Sequence, residues 1–274
     1  MTLATSTETP VGGRHLRVAR LGAGPCLILL HGYPDNLQIW SELAPRLADR
    51  FHVIAFDWPG MGESDEWSGG ASPTHMAERL VRLMDAWAVD RADLVALDMG
   101  AQPALVAAAR WPQRVRRMCV MNSLVQWDEE TSWEIRVLRE HGWNRLLLAR
   151  LPRLVFLRAR WTFLPPGVRL APDVHADFWR CFRRPEVRRY ISRMCAAYQG
   201  SLRRLPEHFA AIACPTLVLW GERDRHFPPS HARRLHAALP NARLEVIPDA
   251  EHWMAWYLAD AVAREIRRFA ETCD

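Results

Sequence analysis

A chain of 274 residues with 49% hydrophobic and 24% charged residues can bury a sizeable core, which excludes an intrinsically disordered protein. No apolar stretch approaches the ~20 residues that span a bilayer, and the six cysteines form neither a C-x-x-C pair nor a metal-binding spacing. The net charge of +5 is carried by arginine, since the sequence contains no lysine.

Short apolar runs alternate with amphipathic segments along most of the chain. Six runs are apolar on both faces, as is typical of buried parallel strands: Cys26–Leu30, His52–Phe56, Asp93–Leu97, Arg117–Met121, Thr216–Trp220 and Arg243–Ile247. In the segment Pro73–Ala88 apolar residues recur at helical spacing, and Ser72 before Pro73 is typical of a helix N-cap. The alternation predicts an α/β fold, a doubly wound and mostly parallel sheet with right-handed crossovers.

The alternation stops between about Val125 and Pro206. This stretch contains no convincing strand, is rich in Trp, Arg and Leu, and is interrupted by prolines. We interpret residues 125–205 as a helical cap inserted over the carboxyl edge of the sheet, where such folds bind ligands. Residues 1–124 and 206–274 then form the core domain.

The strongest functional signal follows the strand Asp93–Leu97. Ala96 and Gly100 stand two residues before and after Asp98, and small residues there allow the tight strand-to-helix turn called a nucleophile elbow. Such a turn holds its central side chain above the sheet, at the N-terminus of the next helix. An aspartate after a strand is also a common helix N-cap, so the motif alone leaves both interpretations open.

Three further segments, each directly after a predicted strand, favour the catalytic interpretation. His31-Gly32-Tyr33-Pro34 follows the first strand, and the backbone N–H groups of Tyr33 and Met99 are placed to form an oxyanion hole. Asp224 follows the fifth strand and His252 follows the sixth. The order nucleophile, acid, histidine is typical of the α/β-hydrolases.

These motifs resemble the epoxide hydrolase and dehalogenase branch of the α/β-hydrolase superfamily over most of the chain. The resemblance rests on the segments 31–34, 57–62, 98–101 and 221–224 and on His252, and it is weak in the cap. It implies the α/β-hydrolase fold and an attack by Asp98 on an electrophilic sp³ carbon, which forms an alkyl ester. It also implies that His252 activates a water to hydrolyse this ester, while Asp224 orients and supports the imidazolium.

The identity of the leaving group is open at this point. Met99 stands where haloalkane dehalogenases usually have Trp and fluoroacetate dehalogenases have Arg, and its thioether has no hydrogen to donate. Epoxide hydrolases commonly use two cap tyrosines to protonate the opening oxide. Tyr198 resembles the second of these, and the first is missing unless Tyr190 or a tryptophan such as Trp127 substitutes for it.

We therefore expect hydrolysis of an epoxide in a small apolar substrate. Haloalkane-type dehalogenation is the close alternative, and a non-catalytic binding protein of the same fold is a third.

The remaining expectations concern partners and location. Arginines are dense between Arg136 and Arg204, but no RNA-binding motif accompanies them, so we interpret them as a solvated helical face and expect no nucleic-acid partner. The first ten residues lack the basic start and apolar run of a signal peptide, so we expect a cytoplasmic protein. No cofactor, metal or membrane partner is expected, and the sequence leaves the oligomeric state open.

Overall fold

One sheet organises the chain in the computed structural model, which describes residues 1–127, 129–140 and 142–273. Within those residues the sheet has eight strands in the order β1-β2-β4-β3-β5-β6-β7-β8. The pairs β1–β2 and β2–β4 are antiparallel, and every later pair is parallel. The strands are β1 (Ser6–Glu8), β2 (Leu16–Leu21), β3 (Cys26–Leu30), β4 (His52–Phe56), β5 (Ala92–Leu97), β6 (Val115–Met121), β7 (Thr216–Gly221) and β8 (Ala242–Ile247).

The six strands expected from the sequence all occur, with ends that differ by at most two residues. The sequence did not predict β1 and β2. The strand Leu16–Leu21 carries Arg17 and Arg20 and pairs antiparallel with both neighbours, so it lacks the continuous apolar run by which the parallel strands were recognised. Arg17 is nevertheless buried, because Asp177 from a distant helix neutralises it.

Helices cover the sheet and fill the segment between β6 and β7. They are α1 (Leu43–Leu47), α2 (Pro73–Ala86), α3 (Ala101–Arg110), α4 (Trp133–Glu140), α5 (Trp143–Arg150), α6 (Pro152–Phe163), α7 (Pro172–Phe182), α8 (Pro185–Arg204), α9 (Pro229–Ala238), α10 (Met254–Tyr257) and α11 (Ala259–Glu271). The side chain of Ser72 accepts a hydrogen bond from the backbone N–H of His75, so the predicted N-cap of α2 is correct. The helix ends two residues earlier than expected, and Ala88 has a left-handed φ of 53°.

The cap segment, residues 125–205, is helical wherever the structure assigns it regular secondary structure. The helices α4 to α8 all fall in this segment, and α8 contacts α4, α5 and α7. Among the described residues, no helix is both long enough and apolar enough to cross a bilayer. The cap segment begins four residues after the end of β6, so its first end lies close to the carboxyl edge of that strand, where the polar residues predicted from the sequence are found.

Candidate active site

A sharp turn between β5 and α3 positions Asp98. Its φ is 51°, a left-handed conformation that costs energy for any residue with a Cβ and that is typical of a nucleophile elbow. A Cβ on Gly100 would lie 2.4 Å from the backbone oxygen of Leu30, and a Cβ on Gly32 would lie 2.5 Å from the Asp98 Cβ. The turn can therefore form only because both neighbouring positions are glycine.

The two backbone N–H groups predicted to form an oxyanion hole hold the carboxylate of Asp98. The N–H of Tyr33 donates to Asp98 Oδ2 at 2.8 Å, and the N–H of Met99 also hydrogen-bonds to this carboxylate. Burial raises the pKa of Asp98 to about 6, although the charge of His252 and the two N–H groups oppose the rise. Asp98 is therefore mainly ionised at pH 7, and its Oδ2 occupies the position where the oxygen of an ester carbonyl would be stabilised.

The imidazole of His252 is oriented by Asp224. Its Nδ1 donates to Asp224 Oδ2 at 2.8 Å, and both side chains are buried. Burial lowers the pKa of His252, but the Asp224 carboxylate more than offsets this and the net pKa is raised. Nε2 has no hydrogen-bond partner among the described residues. When the ring is neutral and keeps its proton on Nδ1, the lone pair on Nε2 can take a proton from a water molecule.

Asp224 is held by more donors than the sequence predicts. Its Oδ1 accepts the backbone N–H groups of His226 and Phe227 at 2.8 and 3.0 Å, and its Oδ2 accepts from the amide of Asn122 at 2.6 Å. Burial raises its pKa, but the charge and hydrogen bond of His252 outweigh this and lower it to about 2. Asn122 directly follows β6, so its position at a strand end was a signal that sequence reasoning missed.

The tyrosine Tyr198 lines the same cavity as Asp98. A cavity of about 30 Å³, here called the catalytic cavity, is lined by Tyr33, Asp98, Gln102, Leu124, Ile135, Met194, Cys195, Tyr198 and Phe227. The hydroxyl of Tyr33 is buried and has no hydrogen-bond partner among the described residues. Burial, with Cys195 and Asp98 nearby, raises the pKa of Tyr33 and of Tyr198 well above their usual value. Both phenols therefore keep their protons close to the carboxylate.

The structure does not bring the two other candidate leaving-group residues to Asp98. The hydroxyl of Tyr190 accepts a hydrogen bond from Arg79 at 2.8 Å. Tyr190 precedes Tyr198 by eight residues on α8, a separation of about 12 Å along the helix axis. Trp127 is half-buried, with the guanidinium of Arg203 lying 5.1 Å from its ring centroid. Neither Tyr190 nor Trp127 lines the catalytic cavity.

A second and larger cavity lies among the cap helices. This cap cavity has a volume of about 160 Å³ and is lined by Tyr33, Trp133, Glu134, Ile135, Val137, Leu147, Leu148, Leu154, Val155, Arg158, Ala159, Thr162, Phe163 and His226. Tyr33 and Ile135 line both cavities, so these two side chains form the partition between them. The arrangement offers a mostly apolar compartment next to the cavity that contains Asp98.

Two residues connect the cap helices to the His252–Asp224 pair, and the sequence predicts neither. The ring of Phe163, the last residue of α6, lies 4.3 Å from the His252 ring between centroids. His226 is within hydrogen-bonding distance of Ser132 through Nδ1, at 2.6 Å, and of Thr162 through Nε2, at 2.8 Å. Burial lowers the pKa of His226 to about 4, so this ring is neutral and links the Asp224 loop to the cap.

The described residues contain no group of three or more His, Cys, Asp or Glu side chains that could hold a metal ion. The charged and polar groups that meet at this site are the ionised Asp98, the His252–Asp224 pair, the backbone N–H groups of Tyr33 and Met99, and the phenols of Tyr33 and Tyr198.

Comparisons with known proteins place this geometry in context. The family model for the alpha/beta hydrolase fold matches residues 25–257. The chain is 27% identical over 271 residues to the 2-hydroxy-6-oxo-6-phenylhexa-2,4-dienoate hydrolase of Burkholderia cepacia. The alignment covers 95% of this chain and 92% of that relative.

Solved structures with a similar fold belong to enzymes that are named for different reactions. One is the epoxide hydrolase CorEH, with a TM-score of 0.84, 18% identity and 99% of each chain covered. Another is a thermophilic esterase from Thermogutta terrifontis, with a TM-score of 0.81, 22% identity and coverage of 98% and 99%. At these identities the likeness shows the fold alone, and the choice of reaction depends on this chain's own residues.

Proposed function

Since the chain belongs to the alpha/beta hydrolase family and is a hydrolase, we propose that it opens an epoxide in an apolar substrate and releases a diol. The reaction proceeds through an ester on Asp98. The observation that carries this proposal is the placement of two tyrosines, Tyr33 and Tyr198, in the same small cavity as the carboxylate.

In the first step, an oxygen of Asp98 attacks one carbon of the oxirane ring. The attacking oxygen is Oδ1, because Oδ2 is engaged by the N–H of Tyr33. The ring C–O bond breaks, and the developing alkoxide takes a proton from a phenol, either Tyr198 or the unpartnered Tyr33. A halide ion leaves without a proton, so a proton donor at this position favours an epoxide over a carbon–halogen bond.

In the second step, water hydrolyses the ester. Nε2 of His252 removes a proton from the water, whose oxygen attacks the ester carbonyl, and Asp224 stabilises the imidazolium. The N–H groups of Tyr33 and Met99 stabilise the resulting oxyanion. The ester C–O bond then breaks, the diol takes the proton from His252, and the regenerated carboxylic acid returns a proton to the tyrosinate.

The cap cavity supports an apolar substrate. Apart from Glu134, Arg158 and His226, most of its wall consists of aliphatic and aromatic side chains. Of these polar groups, Glu134 and Arg158 form an ion pair with each other and His226 hydrogen-bonds to Ser132 and Thr162, so their polar atoms are already satisfied. An alkyl or aryl group on the epoxide can occupy this compartment while the oxirane reaches Asp98.

Trapping the ester tests the proposal directly. The variant His252→Gln should react with an aryl epoxide and gain the mass of one epoxide molecule, measured on the intact protein and mapped to the peptide containing Asp98. The double variant Asp98→Asn/His252→Gln is the control and should remain unlabelled. In the His252→Gln background, Tyr33→Phe or Tyr198→Phe, whichever removes the proton donor, should slow labelling by about 10²-fold or more, whereas Tyr190→Phe should not.

The other reaction classes give different results. Labelling by 1-bromoalkanes with release of bromide, and none by epoxides, would replace the proposal with dehalogenation. Turnover of aryl esters by the wild-type protein, with no adduct from either panel, would mean that Asp98 does not form an alkyl ester. Failure of the wild-type protein to turn over any panel while it binds these compounds would indicate a binding protein.

A further inference from the structure

The helix α6 is apolar on two opposite faces. Phe156 and Phe163 are buried against the rest of the molecule. Leu154, Leu157 and Trp161 follow one another at spacings of three and four residues, so they share one side of the helix. This second side faces solvent, since these three side chains are 60%, 39% and 67% exposed.

The exposed apolar side chains are concentrated in this part of the molecule. Apart from Met1, the large hydrophobic side chains that are strongly exposed in the described chain all lie on or beside α4, α5 and α6: Trp133, Leu146, Leu151, Leu154, Leu157 and Trp161. We call this group the apolar patch. Single exposed leucines are common on protein surfaces, whereas a clustered group of this kind marks a surface that binds another apolar surface.

The charge around the patch is mainly positive: Glu134, next to Trp133 in the sequence, is already paired with Arg158. From residue 141 to residue 172 the sequence has no Asp or Glu, and it has six arginines: Arg145, Arg150, Arg153, Arg158, Arg160 and Arg169. At 100° per residue, Arg158 lies on one side of the exposed stripe of α6, and Arg153 and Arg160 lie on the other. The guanidinium of Arg158 also lies over the ring of Trp161, 5.0 Å from its centroid. The partner that fits this surface is apolar in its centre and anionic around it.

A surface groove adjoins the patch at Trp161. It has a volume of about 480 Å³ and is lined by Arg160, Trp161, Leu164, Pro165, Pro166, Gly167, Val168 and Arg169. Two arginines beside an exposed tryptophan fit a phosphate headgroup at the boundary between lipid and water. Trp133 and Leu154 belong both to the patch and to the wall of the cap cavity, so the patch adjoins the compartment next to the active site.

We propose that the apolar patch binds to the surface of a lipid bilayer that contains anionic phospholipids. Leu154, Leu157 and Trp161 insert among the acyl chains, and the surrounding arginines contact the phosphates. From the sequence we expected no membrane partner, because no segment is long enough to span a bilayer. A helix that lies on the membrane surface needs no such segment. It concerns binding and stands apart from the reaction at Asp98.

Two other occupants fit the surface less well. A second copy of the chain, docked through the same patch, would bring the arginines of both copies together without compensating carboxylates. A nucleic acid would meet an apolar stripe where its phosphates need positive charge. The bilayer alone satisfies both the centre of the patch and its border.

Vesicle flotation tests the proposal with the full-length wild-type protein. Binding should be strong to vesicles of phosphatidylcholine with 30% phosphatidylglycerol, weak to phosphatidylcholine alone, and reduced at high salt. The variant Leu154→Ser/Leu157→Ser/Trp161→Ser and the variant Arg153→Glu/Arg160→Glu should each lower the partition coefficient at least tenfold. Arg233→Glu/Arg264→Glu makes the same change in net charge on the core helices α9 and α11, and should lower it less than twofold.

Other outcomes overturn the proposal. They are equal loss of binding in the two charge variants, no difference between the two kinds of vesicle, or no binding to either. The proposal also fails if the wild-type protein is a dimer by light scattering and does not bind lipid, and the Leu154→Ser/Leu157→Ser/Trp161→Ser variant is a monomer. The wild-type dependence on phosphatidylglycerol and salt decides the matter even if a variant fails to fold.

Discussion

At Asp98, burial and hydrogen bonding act in opposite directions on one carboxylate. Burial raises its pKa to about 6, whereas His252 and the N–H groups of Tyr33 and Met99 keep it ionised at neutral pH. The sequence predicted Asp98, Asp224 and His252, because each follows a strand in a recognisable order. It could not reveal that the hydroxyl of Tyr33 lacks a partner, since that depends on how side chains pack in three dimensions.

The raised pKa of Asp98 predicts how stability depends on pH. In the unfolded chain an aspartate titrates near its usual value of about 3.9, so the ionised carboxylate destabilises the folded state above pH 6, and protonation relieves this below pH 6. Asp98→Asn should therefore raise the free energy of unfolding by up to about 3 kcal/mol at pH 8. The gain should shrink as the pH falls through 6.

Urea unfolding of the wild type and of Asp98→Asn at pH 8 and at pH 5 measures this effect. The comparison between the two pH values isolates the charge, because any benefit of asparagine in a left-handed conformation is the same at both. An equal gain at pH 8 and pH 5 would show that the buried charge is not the cause.

At the scale of elements, the strands were predictable and the cap helices were only partly so. Strands buried in a parallel sheet are apolar on both faces, and this produced six strands with nearly correct ends. The strand β2 was missed because its charged Arg17 is neutralised by Asp177, which is 160 residues away in the sequence. For α6, apolar residues on both the inner and outer faces leave no periodicity that indicates which face is buried.

Replacement of glycine by alanine should have opposite effects at Gly100, in the turn after Asp98, and at Gly200, on helix α8. In Gly100→Ala the new Cβ would lie 2.4 Å from the oxygen of Leu30 and 2.7 Å from that of His31, and these backbone atoms cannot move without shifting β3 and the loop after it. We expect a loss of about 1–3 kcal/mol and a loss of activity. Gly200→Ala in α8 meets no atom within 4 Å and should stabilise by about 0.5–1 kcal/mol. Thermal unfolding of both variants checks this, and similar melting temperatures would contradict the steric explanation.

At the scale of the whole molecule, a buried ion pair fastens the cap segment to the sheet. Arg17 on β2 makes two hydrogen bonds of 2.9 Å to Asp177 on α7, and Asn36 donates to the same carboxylate at 2.7 Å. Arg17 is also within 3.6 Å of the buried Asp57 and 3.2 Å of Glu63. The guanidinium of Arg17 therefore lies against three carboxylates, and two of these, Asp57 and Asp177, are buried.

Removal of this guanidinium should be more harmful than removal of one of its partners. Arg17→Met leaves the buried Asp57 without its arginine, whereas Asp177 keeps its ion pair with Arg180, and we expect a loss of about 3–5 kcal/mol. Asp177→Leu should cost less, because Arg17 retains Asp57 and Glu63. Arg20→Met is the matched control on the same strand; its ion pair with Glu8 is partly exposed, so the loss should stay below about 1 kcal/mol. Free energies of unfolding in urea test this order, and equal losses in Arg17→Met and Arg20→Met would refute it.

The hydrogen bond from Tyr33 N–H to Asp98 Oδ2 also determines the fate of individual atoms. In the proposed reaction, Oδ2 remains with the protein while Oδ1 forms the bond to carbon and departs with the product. The water molecule then replaces Oδ1, so one oxygen of Asp98 is exchanged in every cycle. The first molecule of diol formed by each enzyme molecule therefore carries an oxygen that was built into the polypeptide, and solvent oxygen reaches the product only one turnover later.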